Sequence, residues 1–156
     1  MSDNRPGDDE LRRDFVTFTI GDQLFGIPIL EVRDVLPPQP ITRIDLAPPE
    51  IAGLLNLRGR IVTALDIRHR LGLASAASGE PAMSIVVDQG GELYSILVDR
   101  IGDALSLSAK DHEPSPPTLN PRWREVSAGI YRLSDRLLVV IDIARLLRLA
   151  LRGSGE

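Results

Sequence analysis

Two stretches of this chain are copies of one another. Residues Ala52 to Leu73 align without a gap on Ala128 to Leu149, placing Gly53 over Gly129, Arg60 over Arg136, Asp66 over Asp142, Ile67 over Ile143 and Leu71 over Leu147. An earlier block, Gly21 to Leu36, lies over Gly90 to Leu105 with a leucine, an aromatic residue, an isoleucine and an aspartate in step. The offset is 69 residues in the early block and 76 in the later one, so the second copy carries about seven extra residues, within the proline-rich stretch after Ser108. A unit of this size is too small to hold a large core alone. The repeat therefore predicts two small barrels packed together through a shared buried interface, each closing its own edges.

Local patterns supply the strands. Asp14 to Ile20 and Gln23 to Ile29 flank Gly21-Asp22, Leu54 to Leu57 and Arg60 to Leu65 flank Arg58-Gly59, and Met83 to Asp88 and Glu92 to Val98 flank Gly90-Gly91, each a hairpin signal. Val126 to Leu133 and Leu137 to Ile141 form a fourth hairpin, Ile41 to Asp45 reads as a short strand, and Asp99 to Leu107 reads as extended. Leu30 to Leu36 reads as a short helix or turn stopped by Pro37-Pro38. Asp66 and Asp142 are placed to cap helical turns, the second leading into a helix with Ile143, Leu146, Leu147 and Ala150 on one face. Residues 1–13 are polar and without period, a disordered tail, and 74–81 (Ala-Ser-Ala-Ala-Ser-Gly-Glu-Pro) are a flexible connection between the repeats. Ser108 to Arg124 is the longest loop, with Ser108 and Asp111 able to cap one turn within it.

Composition narrows the function. No cysteine is present, so disulfides, thiolate metal sites and cysteine nucleophiles are excluded. A formal net charge of -4 with dispersed basic residues gives no footprint for nucleic acid. No apolar run reaches the roughly 18 to 20 residues of a spanning helix, and the N-terminus has no apolar signal region, so a cytoplasmic protein without membrane insertion is expected. His69, within Arg-His-Arg, and His112, between Asp111 and Glu113, read as surface residues and lack a nucleophile or a second histidine at metal spacing. Gly53 and Gly59 do not make a phosphate loop, because Gly59-Arg60 opens a strand rather than a helix. No cofactor, metal or catalytic residue is expected.

Arg58 stands apart. It sits at the tip of a hairpin where the second copy has Ser134, as Asn56 stands opposite Arg132. Positions kept in both copies serve the fold, whereas exposed positions that diverge are free to bind. Arginine suits an interface through its planar donor head and apolar stem, although a solvated turn residue explains it equally well.

The block Gly53-Leu-Leu-Asn-Leu-Arg-Gly-Arg-Ile-Val-Thr-Ala-Leu-Asp-Ile-Arg68, supported by Phe18 to Ile29 and by Val98-Asp99 with Ile101, resembles the CheW family of bacterial chemosensory adaptors over residues 14 to 149. The resemblance implies a mainly β fold of two SH3-like five-stranded barrels packed as pseudo-repeats, with short helices after strands and a C-terminal helix. Its boundaries are 14–73 for the first repeat, 74–81 for the linker, 82–149 for the second and 150–156 for a tail, with exchange of strands between the barrels left open. It implies a non-catalytic scaffold coupling the cytoplasmic tip of a methyl-accepting chemoreceptor to the regulatory domain of a CheA-type histidine kinase, in the cytoplasm at membrane receptor arrays. The alternative is the same adaptor role in a non-flagellar pathway controlling surface motility or second-messenger synthesis. Carried over by residue, the receptor-facing site comprises Val32, Asp34, Gly53 and Arg58, while the kinase-facing residues stay unassigned. Asp34 stands where the family commonly has Glu, which shortens the arm of its ion pair, and Thr63 stands where Pro is frequent, which restores a backbone donor.

Overall fold

The computed structural model describes residues 11–73 and 82–152. The first half runs β1 (Arg12–Ile20), β2 (Gln23–Pro28), β3 (Val32–Leu36), β4 (Ile51–Leu57), β5 (Arg60–Asp66) and α1 (Arg68–Leu71). The second runs β6 (Met83–Gln89), β7 (Glu92–Val98), β8 (Arg100–Ser108), α2 (Pro121–Arg124), β9 (Ser127–Arg132), β10 (Leu137–Ile141) and α3 (Ile143–Arg152). The fold is mainly β, in two five-stranded sheets. The connection at 74–81 lies outside the described residues.

Neither sheet belongs to one half. One sheet has the order β8-β1-β2-β10-β9 and the other β3-β6-β7-β5-β4, so each half lends its opening hairpin to the strands of the other. The exchange obeys the repeat: β2 runs parallel to β10 with Leu24 opposite Leu138, and β7 runs parallel to β5 with Thr63 opposite Tyr94. Barrels that close on their own strands, as the repeat alone suggests, would have required the two hairpins to stay within their own halves. Each sheet curls so that its edge strands come together. The chain leaving β3 bridges to β4 at Thr42 and Leu54, and the chain leaving β8 bridges to β9 at Glu113 and Ile130.

Alternation along the strands sorts side chains into three cores. In β10, Leu138 and Val140 face the inside of their own barrel with Phe15, Leu24 and Tyr131, whereas Val139 and Ile141 face the space between the sheets. In β5, Val62 and Ala64 line the other barrel with Leu55 and Val86, whereas Leu65 and the following Ile67 join the shared core. The shared core is the largest and takes Phe18, Phe25, Ile85, Ile96, Leu146 and Leu147 from both sheets and α3. Strands buried on both faces read as continuous apolar runs, which is why Leu-Leu-Val-Val-Ile at 137–141 lacks a polar face.

Polar groups tie the halves together as well. Arg68, only 6% exposed, pairs with Asp66 at 3.5 Å and with Asp99, and Asp99 also accepts from the Gly21 N–H at 2.7 Å in the β1–β2 turn. Arg70 pairs with buried Glu50 at 3.2 Å and donates to the Leu149 carbonyl of α3 at 3.1 Å. Both expected caps are made: Asp66 Oδ1 accepts from the Arg68 N–H and Asp142 Oδ1 from the Arg145 N–H, each at 3.1 Å.

Several segments differ from the sequence reading. β1 begins at Arg12, inside the stretch 1–13 expected to be a tail, and α3 runs to Arg152, inside the tail expected at 150–156, while residues 1–10 and 153–156 lie outside the described residues. Leu30 to Leu36, read as a short helix or turn, is a turn only at its start: a 3₁₀ turn at Ile29–Glu31 leads directly into β3, because pairing of Val35 with Ile85 and Leu36 with Ser84 satisfies a backbone that a helix this short would leave open at both ends. Ile41 to Asp45 contributes only the Thr42 bridge, the prolines at 37, 38 and 40 removing ladder donors beside it. The proline-rich loop makes the expected turn, a 3₁₀ turn at Ala109–Asp111 with Ser108 Oγ accepting from the Lys110 N–H at 3.4 Å, and holds a second that was not expected, α2, started by Asn120 Oδ1 accepting from the Arg122 N–H at 2.9 Å with Pro121 in the first turn.

Candidate functional site

The β4–β5 hairpin turns on Arg58 and Gly59, both with positive φ (51° and 86°), between the paired residues Leu57 and Arg60. This is the twist-matched two-residue turn that favours Asn-Gly. Asn56 Oδ1 braces it by accepting from the Gly59 N–H at 2.9 Å. An arginine in the left-handed region costs about 1 kcal/mol, and only Leu46 shares that condition among the described non-glycine residues. Turn chemistry alone does not account for arginine at this point.

The guanidinium of Arg58 reaches across the barrel seam to Asp34 on β3, with Nη2 3.3 Å from Oδ2. Asp34 Oδ1 accepts from the Val35 N–H at 2.9 Å, which fixes the carboxylate. The shorter acidic arm therefore still makes the ion pair. Arg58 remains 76% exposed, so most of its donor head faces solvent. In the second half the corresponding seam is closed differently, by Arg132 donating from Nε to both Glu113 oxygens at 3.0 and 3.1 Å.

Gly53 lies on β4, next to the Thr42–Leu54 bridge that closes the seam. Its φ is +151°, and a Cβ would overlap the Thr42 carbonyl oxygen, the same group that accepts from the Leu54 N–H at 2.8 Å. Gly129 repeats the role against His112 and Glu113. Both glycines let a loop backbone press onto the barrel. Val32 points elsewhere: a bulge between Val32 and Asp34 shifts the pleat, so Val32 packs against the shared core while Leu36 packs into its own barrel. The structure thus brings Asp34 and Arg58 into contact, sets Gly53 next to the bridge that closes the seam, and places Val32 on the same strand as Asp34 at the junction of the sheets.

That junction carries an apolar surface that sequence reasoning missed. The 3₁₀ turn at Ile29–Glu31 touches both β1 and β6, and it exposes Ile29 by 40% and Leu30 by 96% just ahead of partly buried Val32. Leu30 stands where the second half has Asp99, the partner of Arg68. This divergence at an exposed position is the same signal that singled out Arg58, but a leucine within an apolar run gave no sign of exposure. Glu31, next to it, has its carboxyl pushed above the usual range, first by partial burial and second by the Asp142 carboxylate.

His112 takes no part in this surface. His112 Nε2–H donates to the Ala128 carbonyl at 2.7 Å and its ring meets Tyr131 edge-on at 5.5 Å, pinning its loop to β9. His69 lies on α1. Among the described residues no cluster of three or more His, Cys, Asp or Glu could hold a metal ion, and no helix is long and apolar enough to cross a membrane.

A family profile for the CheW-like domain matches residues 14–151. The chemotaxis protein CheW of Klebsiella aerogenes is 34% identical over 135 residues, covering 86% of this chain and 81% of that protein. The chemotaxis protein CheW of Helicobacter pylori is 28% identical over 141 residues, 90% and 85% of the two chains. The crystal structure of the scaffolding protein TtCheW from Thermoanaerobacter tengcongensis matches with a TM-score of 0.75 at 26% identity, over 84% of this chain and 89% of that one.

Proposed function

The chain belongs to the CheW-like domain family, and on that premise we propose that it is a non-catalytic chemosensory adaptor joining the cytoplasmic tip of a chemoreceptor to the regulatory domain of a CheA-type histidine kinase. The observation that carries this reading is the family match over nearly all the described chain, together with a strained, exposed arginine paired with Asp34 on the strand that follows an apolar turn. In this reading a receptor helix lies along Ile29, Leu30 and Val32, which supply apolar area, while Arg58, held by Asp34, registers the helix through its free donors. Gly53 supports the seam at its closing bridge. The kinase takes a separate surface, and occupancy of both raises the effective concentration of kinase at the receptor. The protein acts on the cytoplasmic side of the membrane, within receptor arrays.

Co-sedimentation of the full chain with a chemoreceptor cytoplasmic fragment and a CheA-type kinase tests this. A ternary complex is expected, and Leu30→Glu should release the receptor fragment while kinase capture persists. Failure to capture either partner overturns the adaptor reading, whereas full receptor capture by Leu30→Glu removes this surface from it.

A further inference from the structure

The internal repeat also identifies a site that one half fills and the other leaves open. In the first half, Phe25 of β2 is fully buried because Trp123 of α2 covers it, the rings meeting edge-on at 5.9 Å. Trp123 Nε1–H donates to the Leu71 carbonyl at 2.8 Å, and the stem of neighbouring Arg122 runs so close over Gly72 that a Cβ there would lie 2.8 Å from it. This aromatic plug comes from the proline-rich loop of the second copy, which is about seven residues longer than its counterpart. Matching the copies puts Tyr94 at the place of Phe25, Leu147 at the place of Leu71 and Arg148 at the place of Gly72. There the corresponding loop of the first copy, residues 37–50, is shorter and carries no aromatic side chain, with Ala47 at the place of Trp123.

The result is a groove of about 400 Å³ between β7 and α3, lined by Gln89, Tyr94, Ala144, Leu147, Arg148 and Leu151. Leu151 is 41% exposed, and Tyr94 is left half-buried where Phe25 is sealed. Residues 1–10, 74–81 and 153–156 contain no aromatic side chain. Two differences from the filled site define the occupant. The α3 helix runs on past Leu147, so that carbonyl is committed within the helix, and the polar rim is instead the Gln89 amide and the Arg148 guanidinium. Charge is also inverted: the filled site receives an arginine beside its aromatic ring, whereas the open groove presents one.

We propose that this groove docks an aromatic side chain from a partner protein, carried on a short segment with a carboxylate beside the ring. The ring meets Tyr94 edge-on and packs on the aliphatic face of Leu147 and Leu151, repeating the packing of Trp123 on Phe25, and the carboxylate meets Arg148.

Titration of the isotope-labelled full chain with the peptides N-acetyl-Glu-Phe-Glu-amide and N-acetyl-Lys-Phe-Lys-amide, followed by NMR, tests the proposal. Amide shifts at Tyr94, Leu147 and Leu151 are expected, with the acidic peptide binding roughly three-fold tighter, as suits one exposed ion pair. Arg148→Glu should reverse that preference, and Leu151→Glu, a surface change, should abolish the shifts. Absence of groove shifts with both peptides, or shifts that survive Leu151→Glu, overturns the site; equal binding of the two peptides overturns its acidic specificity. Binding seen only after truncation beyond Arg152 would assign the groove to the chain's own end and overturn the proposal as well.

Discussion

Asp34 and Arg58 belong to opposite margins of one sheet and meet across its seam at 3.3 Å, with Arg58 in a left-handed backbone conformation. An ion pair this exposed contributes at most about 1 kcal/mol to stability, and the left-handed arginine costs a similar amount. Arg58→Asn removes the donor head and installs the residue that this turn favours. The urea midpoint should hold or rise, while affinity for a receptor-tip fragment in calorimetric titration should fall about tenfold. A lowered midpoint with unchanged affinity would place Arg58 with the fold instead.

Gly53 and Gly59 both have positive φ but differ in surroundings. Alanine at 53 must displace the Thr42 carbonyl and break the bridge that closes the barrel, whereas alanine at 59 meets nothing within 4 Å. Gly53→Ala should cost about 3 kcal/mol and Gly59→Ala about 1 kcal/mol, read from chemical denaturation. Equal costs would mean that the loop behind Gly53 yields freely.

Arg68 is buried between two carboxylates that are themselves about one-third exposed. Replacing it with methionine keeps the stem and removes the charge, leaving Asp99 to solvent and to the Gly21 N–H. We expect a loss of about 2 kcal/mol, below the range for a fully buried pair because water can reach both acids. A melting temperature matching that of the unchanged protein would show that stem packing alone holds α1.

Glu31 gives a pH signature. Its carboxyl is raised by burial and by Asp142, so the folded state holds the proton more tightly than the unfolded chain does. Stability from this group is therefore greatest at low pH and declines as pH rises through the interval from the ordinary glutamate value to the raised one. Glu31→Gln should flatten that decline and leave the protein slightly more stable at neutral pH, as measured by denaturant midpoints between pH 4 and 7 (about the interval in which carboxylates titrate). An unaltered pH profile would contradict this.

Most strands were legible because each hairpin carried its own turn residues, and Asp66 and Asp142 announced their helices through capping chemistry. The partners of those hairpins were not legible. Pairing of β1 with β8 and of β6 with β3 joins residues far apart in sequence, and apolar runs buried on both faces hold no pattern to say which strand lies alongside. β3 was read as part of a short helix or turn because Leu30-Glu-Val-Arg-Asp-Val-Leu36 has apolar residues at spacings that suit a helical turn, and its ladder is supplied by a strand from the other half. Arg58 could be singled out by comparing the copies, since Ser134 replaces it. Leu30 passed the same test unnoticed, because sequence does not distinguish an exposed leucine from a core one.

The exchange of hairpins between halves sets an order of events during synthesis. The sheet β3-β6-β7-β5-β4 has all its strands once Val98 has left the ribosome, but β1 and β2 must wait for β8 and then for β10, which ends at Ile141. The first hairpin made is thus among the last to find its neighbours, and its apolar residues, Phe15, Phe18 and Phe25 among them, stay without their final partners until nearly the whole chain is present. Cutting the gene at the linker would not yield two smaller adaptors but two incomplete sheets, each lacking strands that only the other fragment encodes.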